Sequence, residues 1–478
     1  MADLRLVGGR VVTPDGIVEG GLAIDDGVIV AIGPTAALPS ATETVDLGGD
    51  VALPGMIDPH VHLGVGGTAD DAKFLEDMTT ETTAAAIGGV TTIVTDHENA
   101  GGPSWVTTLL RRHGTTLLDL AKRELGGRSP IDVRFTANPC TDEHLREIAT
   151  LVDEGVTSFK MFPSYVGEEA AEFGITTVDY AYIFQAFEQI AAAERPDAPA
   201  QGMVHCEEPT ICGMLRDRYR AMGHESLQWW TRARPAGCEA MQIFDVGMIA
   251  KETGARAYIP HVSSEEGGRT IEYLHSRGAR VVAETCAHYL IPDVPWGIGA
   301  LAKINPPLRD PGDVEWMWSA LGRGSIEIVG SDNCRYCLAE KRAKSMWDAI
   351  PGVSEIGATL AILLTEGVAK GRLSWEELAR VAAENAARRF GMYPKKGALM
   401  VGADGDVVVV DPQARWRLGS TVPLSGADFS MYEGREAIGR PWLTVSRGRV
   451  VAEHGASTVV GGGQYVSSGA LVSVEVSR

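Results

Sequence analysis

Two imidazoles one residue apart, in Asp58-Pro59-His60-Val61-His62, project to the same side only when the backbone is extended. Neutral imidazole ligates borderline divalent metals, and a His-x-His pair at a strand end delivers two ligands from one backbone. Alone, the pair also suits a polar surface turn, so its meaning depends on whether other ligand-type side chains arrive at equivalent places. Lys160, His205, His261 and Asp332 do so, each near the end of a short apolar run of the kind that makes a buried strand. Four imidazoles, a carboxylate and a lysine around one rim exceed what isolated structural polar residues explain. The lysine is the anomaly, because an ammonium repels a metal ion and loses its own solvation on burial. Addition of carbon dioxide to the neutral amine removes the conflict. The carbamate is anionic and can bridge two metals, and crowding by cations favours the neutral amine that the addition requires.

The runs that carry these side chains belong to a series of eight: Met56–His62, Thr91–Asp96, Val133–Asn138, Ser158–Phe162, Met203–Cys206, Ala257–Val262, Arg280–Cys286 and Glu327–Asp332. Amphipathic helical patterns separate them, as in Asp142–Asp153, Tyr180–Glu194, Glu239–Glu252 and Gly267–Arg277. Strands alternating with helices predict parallel pairing through crossovers, and eight such units predict an α/β fold, a (β/α)8 TIM barrel over residues 54–397. Chemistry in that fold gathers at the C-terminal strand ends. Alternating Val- and Ile-rich runs flank this middle: Leu4–Val12, Gly21–Ile32 and Glu43–Leu53 on one side, and Asp406–Val410, Trp416–Leu418 and Trp442–Glu453 on the other. Separated by turn residues such as Asp25-Asp26-Gly27 and Arg447-Gly448-Arg449, they predict antiparallel strands. Strands at both ends predict one discontinuous β-sandwich domain, residues 1–53 plus 398–454. Residues 455–478 form a C-terminal extension whose Gly461-Gly462-Gly463 predicts a flexible, possible oligomerisation arm.

A chain of 478 residues has room for a barrel and a satellite domain, and 45% hydrophobic with 22% charged residues is the balance of a globular enzyme. The net charge of −20 repels phosphate backbones and anionic lipid, which argues against nucleic acid or a membrane and for a small-molecule partner. Seven unevenly spaced cysteines make no disulfide framework, and the start lacks a basic segment followed by an apolar one. Both features predict a cytoplasmic protein.

Asp58-Pro59-His60-Val61-His62, Phe159-Lys160-Met161-Phe162, Val204-His205-Cys206-Glu207, Pro260-His261-Val262-Ser263, Asn305-Pro306-Pro307-Leu308-Arg309 and Gly330-Ser331-Asp332 occur in an order that resembles the cyclic amidohydrolases of the hydantoinase/dihydropyrimidinase group. The resemblance extends through Glu284–Leu290, Asn385-Ala386-Ala387 and Gly402-Ala403-Asp404-Gly405-Asp406 and so spans nearly the whole chain. It implies two divalent ions, expected to be zinc, held by His60, His62, Lys160 as N6-carboxylysine, His205, His261 and Asp332. It implies a ring-opening hydrolysis in which a hydroxide bridging the ions attacks the carbonyl. Tyr165, in the loop after Lys160, would support the oxyanion, and Asp332 would carry the proton to the leaving nitrogen. Backbone groups near Ser331 and Asn305 would read the ring's amide edge, and a homotetramer would be the assembly.

Subtype is written in smaller signals. Dihydroorotases resemble one another in an arginine shortly after His-x-His, whereas Leu63-Gly64-Val65-Gly66 follows here, and Gly66–Asp71 resembles the loop of hydantoinases and dihydropyrimidinases. His288 and Asn305 lean toward dihydroorotase or allantoinase. Asn333 stands where many relatives have histidine and is counted with the substrate contacts; Arg335 behind it either reads an acidic substituent or is solvated. Cys334-x-x-Cys337 without a second ligand pair suits incidental thiols better than metal or redox chemistry. His97 either lines the pocket or packs. An allantoinase-like, cyclic imide or lactone hydrolase, or a non-catalytic scaffold on the same fold, remain as alternatives.

Overall fold

The computed structural model describes residues 1–64, 71–97, 105–106, 114–173, 175–293, 296–419 and 425–467. Eight short strands run parallel in chain order: β1 (Met56–Leu63), β2 (Val90–His97), β3 (Asp132–Thr136), β4 (Ser158–Met161), β5 (Gln201–Val204), β6 (Ala257–Ile259), β7 (Val281–Cys286) and β8 (Ile328–Gly330). β1 is buried at every position, as expected of strands covered on both faces. The strands form two arcs, β1-β2-β3 and β4-β5-β6-β7-β8. An isolated bridge between Ala137 and Phe159 joins β3 to β4, with Lys160 N–H donating to the Ala137 carbonyl at 2.8 Å. At the other seam the chain itself crosses over, because Asn333 and Cys334, just past β8, pair with Val61 and His62 of β1.

Several boundaries differ from the sequence expectation, and two of the differences fall on ligand residues. β6 stops at Ile259 and β8 at Gly330, so His261 and Asp332 lie beyond their strands. Both hold left-handed backbones, with φ of 43° and 52°. Such conformations cost energy in a non-glycine residue and concentrate at functional sites.

Four outer helices fall where the apolar periodicity places them, and three of their starts are fixed by caps. Thr141, Asp179 and Ser264 accept from the backbone N–H groups of His144, Tyr182 and Gly267 at the starts of Asp142–Asp153, Tyr180–Ala193 and Glu265–Ser276.

The two ends of the chain build a single nine-stranded mixed sheet. Val51–Pro54 is its seam, parallel to Ala2–Thr13 on one side and antiparallel to Val407–Arg417 on the other. One residue later the chain enters β1, so the sheet holds the base of the strand that carries His60 and His62. The expected run Gly21–Ile32 is two strands, Gly16–Asp25 and Val28–Gly33, turned at Asp26 and Gly27. Both turn residues have positive φ, the requirement of a tight hairpin. Arg447 and Gly448 turn the later run in the same way. The sheet has its own core of Leu4, Leu22, Ile24, Val407 and Leu443.

The triglycine is not a loose arm. Gly462 and Gly463 donate to the carbonyls of Gly126 and Ser129 at 2.7 and 2.8 Å, and Gln464 and Val466 bracket Val133 at the foot of β3. A Cβ on Gly463 would meet the Ile131 carbonyl at 1.9 Å, so glycine here serves close approach. The remainder of the extension, 468–478, lies outside the described residues.

Candidate metal centre

At the C-terminal rim of the strands three ligand-type atoms converge. His60 Nε2 and His62 Nε2 are 3.1 Å apart, and Asp332 Oδ1 lies 3.3 and 3.1 Å from them. Lys160 Nζ is 3.0 Å from His60 Nε2. The ring of His261 stands 5.4 Å from that of His60 and 4.5 Å from that of His205. The six side chains thus form one cluster, and all except Asp332 are buried.

A carboxylate stands behind three of the imidazoles. Glu284 Oε1 lies 3.1 Å from His60 Nδ1, Asp96 Oδ1 2.8 Å from His62 Nδ1, and Glu207 Oε2 3.1 Å from His205 Nε2. Each takes up one ring nitrogen, which leaves the other nitrogen, with its lone pair, for the centre. Sequence reading assigned no role to these acids. The available signal was an acid within an apolar strand, for Asp96 and Glu284, or just past one, for Glu207, since such groups are almost never fully buried unless paired.

This donor set fits a divalent cation. Two imidazole nitrogens and a carboxylate oxygen about 3.1 to 3.3 Å apart have the spacing of neighbouring ligands around an ion held at roughly 2 Å. Without positive charge between them, nitrogen lone pairs at that distance repel. His261 Nε2 is buried with no hydrogen-bond partner among the described residues, an expensive state for a polar atom unless something binds it. Burial lowers the His205 imidazole and holds that of His261 well below the usual range, so both are neutral ligands. Burial raises the Asp332 carboxyl, but the imidazoles around it outweigh that effect and keep it ionised. A second acidic trio, Asp132, Asp404 and Asp406, is already filled by the ammonium of Lys396 at 2.7, 3.0 and 2.7 Å.

A pocket opens over the cluster, walled by Phe162, Tyr165, Ile175, Asn305, Tyr336 and Gly352. Burial pushes the Tyr165 phenol well above its ordinary range, which keeps it a neutral donor. Asn305 Nδ2 lies 3.5 Å from the Tyr165 hydroxyl, and Asn305 Oδ1 accepts from Trp230 Nε1 at 3.2 Å.

The structure does not bring Asn333 to this pocket. It is fully buried behind the rim, donating to Glu81 at 2.9 Å and accepting from Ile356 N–H at 3.1 Å, so both ends of its amide are engaged structurally. Ser331 N–H is likewise taken by Asp58, and its hydroxyl faces the His60 carbonyl. Arg335 pairs with Glu76 at 3.1 Å and with Asp77, away from the pocket lining. Cys334 lines the pocket, and neither it nor Cys337 forms a disulfide. His288 is buried edge-on against Tyr289, its imidazole lowered to about 4 by burial. The loop 65–70 and the side chains of Asp71 and His97 lie outside the described residues.

The sequence profile of the amidohydrolase family matches residues 51–451. The chain belongs to the amidohydrolase family. This amidohydrolase is 32% identical to a D-hydantoinase of Ralstonia pickettii over 95% of its own length and 96% of that protein's. It is 31% identical to an L-hydantoinase of Paenarthrobacter aurescens over 98% of each chain. Its fold is similar to the crystal structure of a dihydropyrimidinase from Brevibacillus agri, with a TM-score of 0.86, 28% identity, and 97% and 98% of the two chains covered. Among the described residues, no helix is long and apolar enough to cross a membrane.

Proposed function

We propose that this amidohydrolase opens a neutral cyclic amide of the hydantoin or dihydropyrimidine type. The observation that carries the reading is the placement of a phenol and a carboxamide, Tyr165 and Asn305, on the wall of the same pocket whose floor is the ligand cluster. The names of the similar proteins supply the ring chemistry. The two arcs are read as one (β/α)8 barrel over residues 54–397, and the terminal sheet as a β-sandwich domain of residues 1–53 and 398–454. His60, His62, Lys160 as N6-carboxylysine, His205, His261 and Asp332 would hold two divalent ions, zinc in this proposal. Bound there, such ions polarise a carbonyl and make water a nucleophile at neutral pH.

The chain's own groups then divide the remaining tasks. Ionised Asp332 at the rim can accept a proton from the attacking water and return it to the departing ring nitrogen. The neutral Tyr165 hydroxyl can donate to the oxygen on which charge develops. Asn305, its carboxamide oriented by Trp230, can pair with the ring's amide edge. A homotetramer remains the proposed assembly.

A ring bearing a carboxylate, as in dihydroorotate, fits poorly, because an entering carboxylate needs a fixed cation to replace its water. Among the described residues of the pocket lining there is no arginine, and Lys160 belongs to the floor. Catalytic efficiency on hydantoin, dihydrouracil, allantoin, dihydroorotate and a cyclic imide, with one metal-loaded preparation, tests the proposal. The neutral rings should lead, and a preference for dihydroorotate would overturn it.

A further inference from the structure

One guanidinium connects the two halves of this site. Arg234, 3% exposed, follows the helix Leu227–Ala233 and reaches a carboxylate on either side. Its Nη1 donates to Glu207 Oε2 at 2.8 Å, the oxygen that lies 3.1 Å from His205 Nε2. Its Nη2 donates to Glu169 Oε1, on the short helix Gly167–Phe173. That same oxygen accepts from Asn305 Nδ2 at 3.4 Å, and Asn305 Nδ2 in turn lies 3.5 Å from the Tyr165 hydroxyl. The chain of contacts runs His205, Glu207, Arg234, Glu169, Asn305, Tyr165, with the rings of the first and last only 4.9 Å apart.

The guanidinium is itself held from behind. It lies 4.6 Å over the ring of Trp230, whose indole N–H donates to Asn305 Oδ1 and the Ile304 carbonyl. The Arg234 carbonyl accepts from Arg309 Nη1. One planar guanidinium gives a separate N–H to each carboxylate, a fixed fork that an ammonium on a flexible stem reproduces poorly.

We propose that Arg234 is a positioning residue that sets the substrate-side pair, Tyr165 and Asn305, against the imidazole of His205. One prong fixes the carboxylate that orients His205. The other fixes the carboxylate that places the Asn305 amide and, through it, the tyrosine hydroxyl. The inference rests on the reading of Tyr165 and Asn305 as substrate-facing. It adds that their geometry depends on an ion pair that touches neither substrate nor metal.

Two variants separate the prongs. Arg234→Lys keeps the charge but loses the fork, and Glu169→Gln cuts the substrate-side prong at a partly exposed residue that can change without threatening the core. Metal-loaded protein is exposed to a chelator and the rate of metal loss followed, and kcat and KM on hydantoin are measured alongside. Arg234→Lys should speed metal loss and lower kcat/KM by about 10–100-fold, the usual cost of losing an outer-shell partner. Glu169→Gln should lower kcat/KM by about tenfold and leave metal loss unchanged. In a Tyr165→Phe background Glu169→Gln should cost less than about threefold, because it acts through that hydroxyl. The proposal is overturned if Glu169→Gln speeds metal loss as Arg234→Lys does, if its effect multiplies fully with Tyr165→Phe, or if Arg234→Lys matches the parent in both measurements. A parent protein inactive on every cyclic amide would sink the substrate reading alone, and metal loss from Arg234→Lys would still decide the other prong.

Discussion

Lys160 Nζ lies 3.0 Å from Nε2 of His60, inside the ligand cluster and 1% exposed. An ammonium in that position would sit among imidazoles with no carboxylate in ion-pair contact among the described residues, whereas a carbamate on the same nitrogen would add an anionic bridge.

Lys160→Ala should therefore purify with fewer than two metal ions per chain and little activity, and short carboxylic acids should restore part of both. Elemental analysis and a rescue assay check this. Two metals and full activity without added acid would refute the bridging role.

Asp332→Asn keeps the size of the side chain and removes its basicity. Turnover should fall by about 10²–10⁴-fold, the range for a general acid–base group, with KM changed far less. Steady-state kinetics on hydantoin separate the two effects.

Glu284→Gln tests the carboxylates behind the imidazoles. His60 would lose the charged acceptor that fixes its tautomer, and metal affinity should drop by about 10–100-fold. Competition against a chelator measures it. Glu284 also accepts from Tyr258, so the variant's thermal midpoint should be recorded as a control for folding.

At the foot of β3, the Lys396 ammonium pairs with Asp132, Asp404 and Asp406 within a buried group. Lys396→Met would leave those carboxylates without their central cation. Removal of one partner from a buried ion pair costs about 3–5 kcal/mol, and denaturant unfolding should show a loss of that size.

Burial pushes the Glu355 carboxyl from 4.5 up to about 8. Between those values the folded chain holds a proton there that the unfolded chain releases. The resulting stability is complete below pH 4.5 and is lost as pH rises through 8. Unfolding midpoints measured from pH 6 to 9 should decline more steeply in the parent than in Glu355→Gln.

The strand series and the ligand types were legible because each strand is a short apolar run and each candidate ligand interrupts or ends one. What escaped was settled by contacts between distant parts of the chain. His60 meets Glu284 across 224 residues, and local periodicity carries no trace of that pairing. Asn333 follows Asp332 directly, yet the left-handed turn at Asp332 sends it behind the rim to Glu81. Gly461–Gly463 has the composition of a linker, and only the proximity of the Ile131 carbonyl shows why glycine is needed.

The nine-stranded sheet joins strands within residues 2–54 to strands within residues 407–457, which are synthesised far apart in time. Val51–Pro54 finds its antiparallel partner only when residues 407–410 have emerged. At about 5–20 residues per second that wait lasts roughly 20–70 s. During it the nascent chain carries an open, apolar strand edge, the feature most prone to pairing with another chain. Synthesis in the cell thus gives this protein a window in which a chaperone covering its N-terminal strands would raise the yield of folded enzyme, and a C-terminal truncation before residue 407 would leave that edge permanently open.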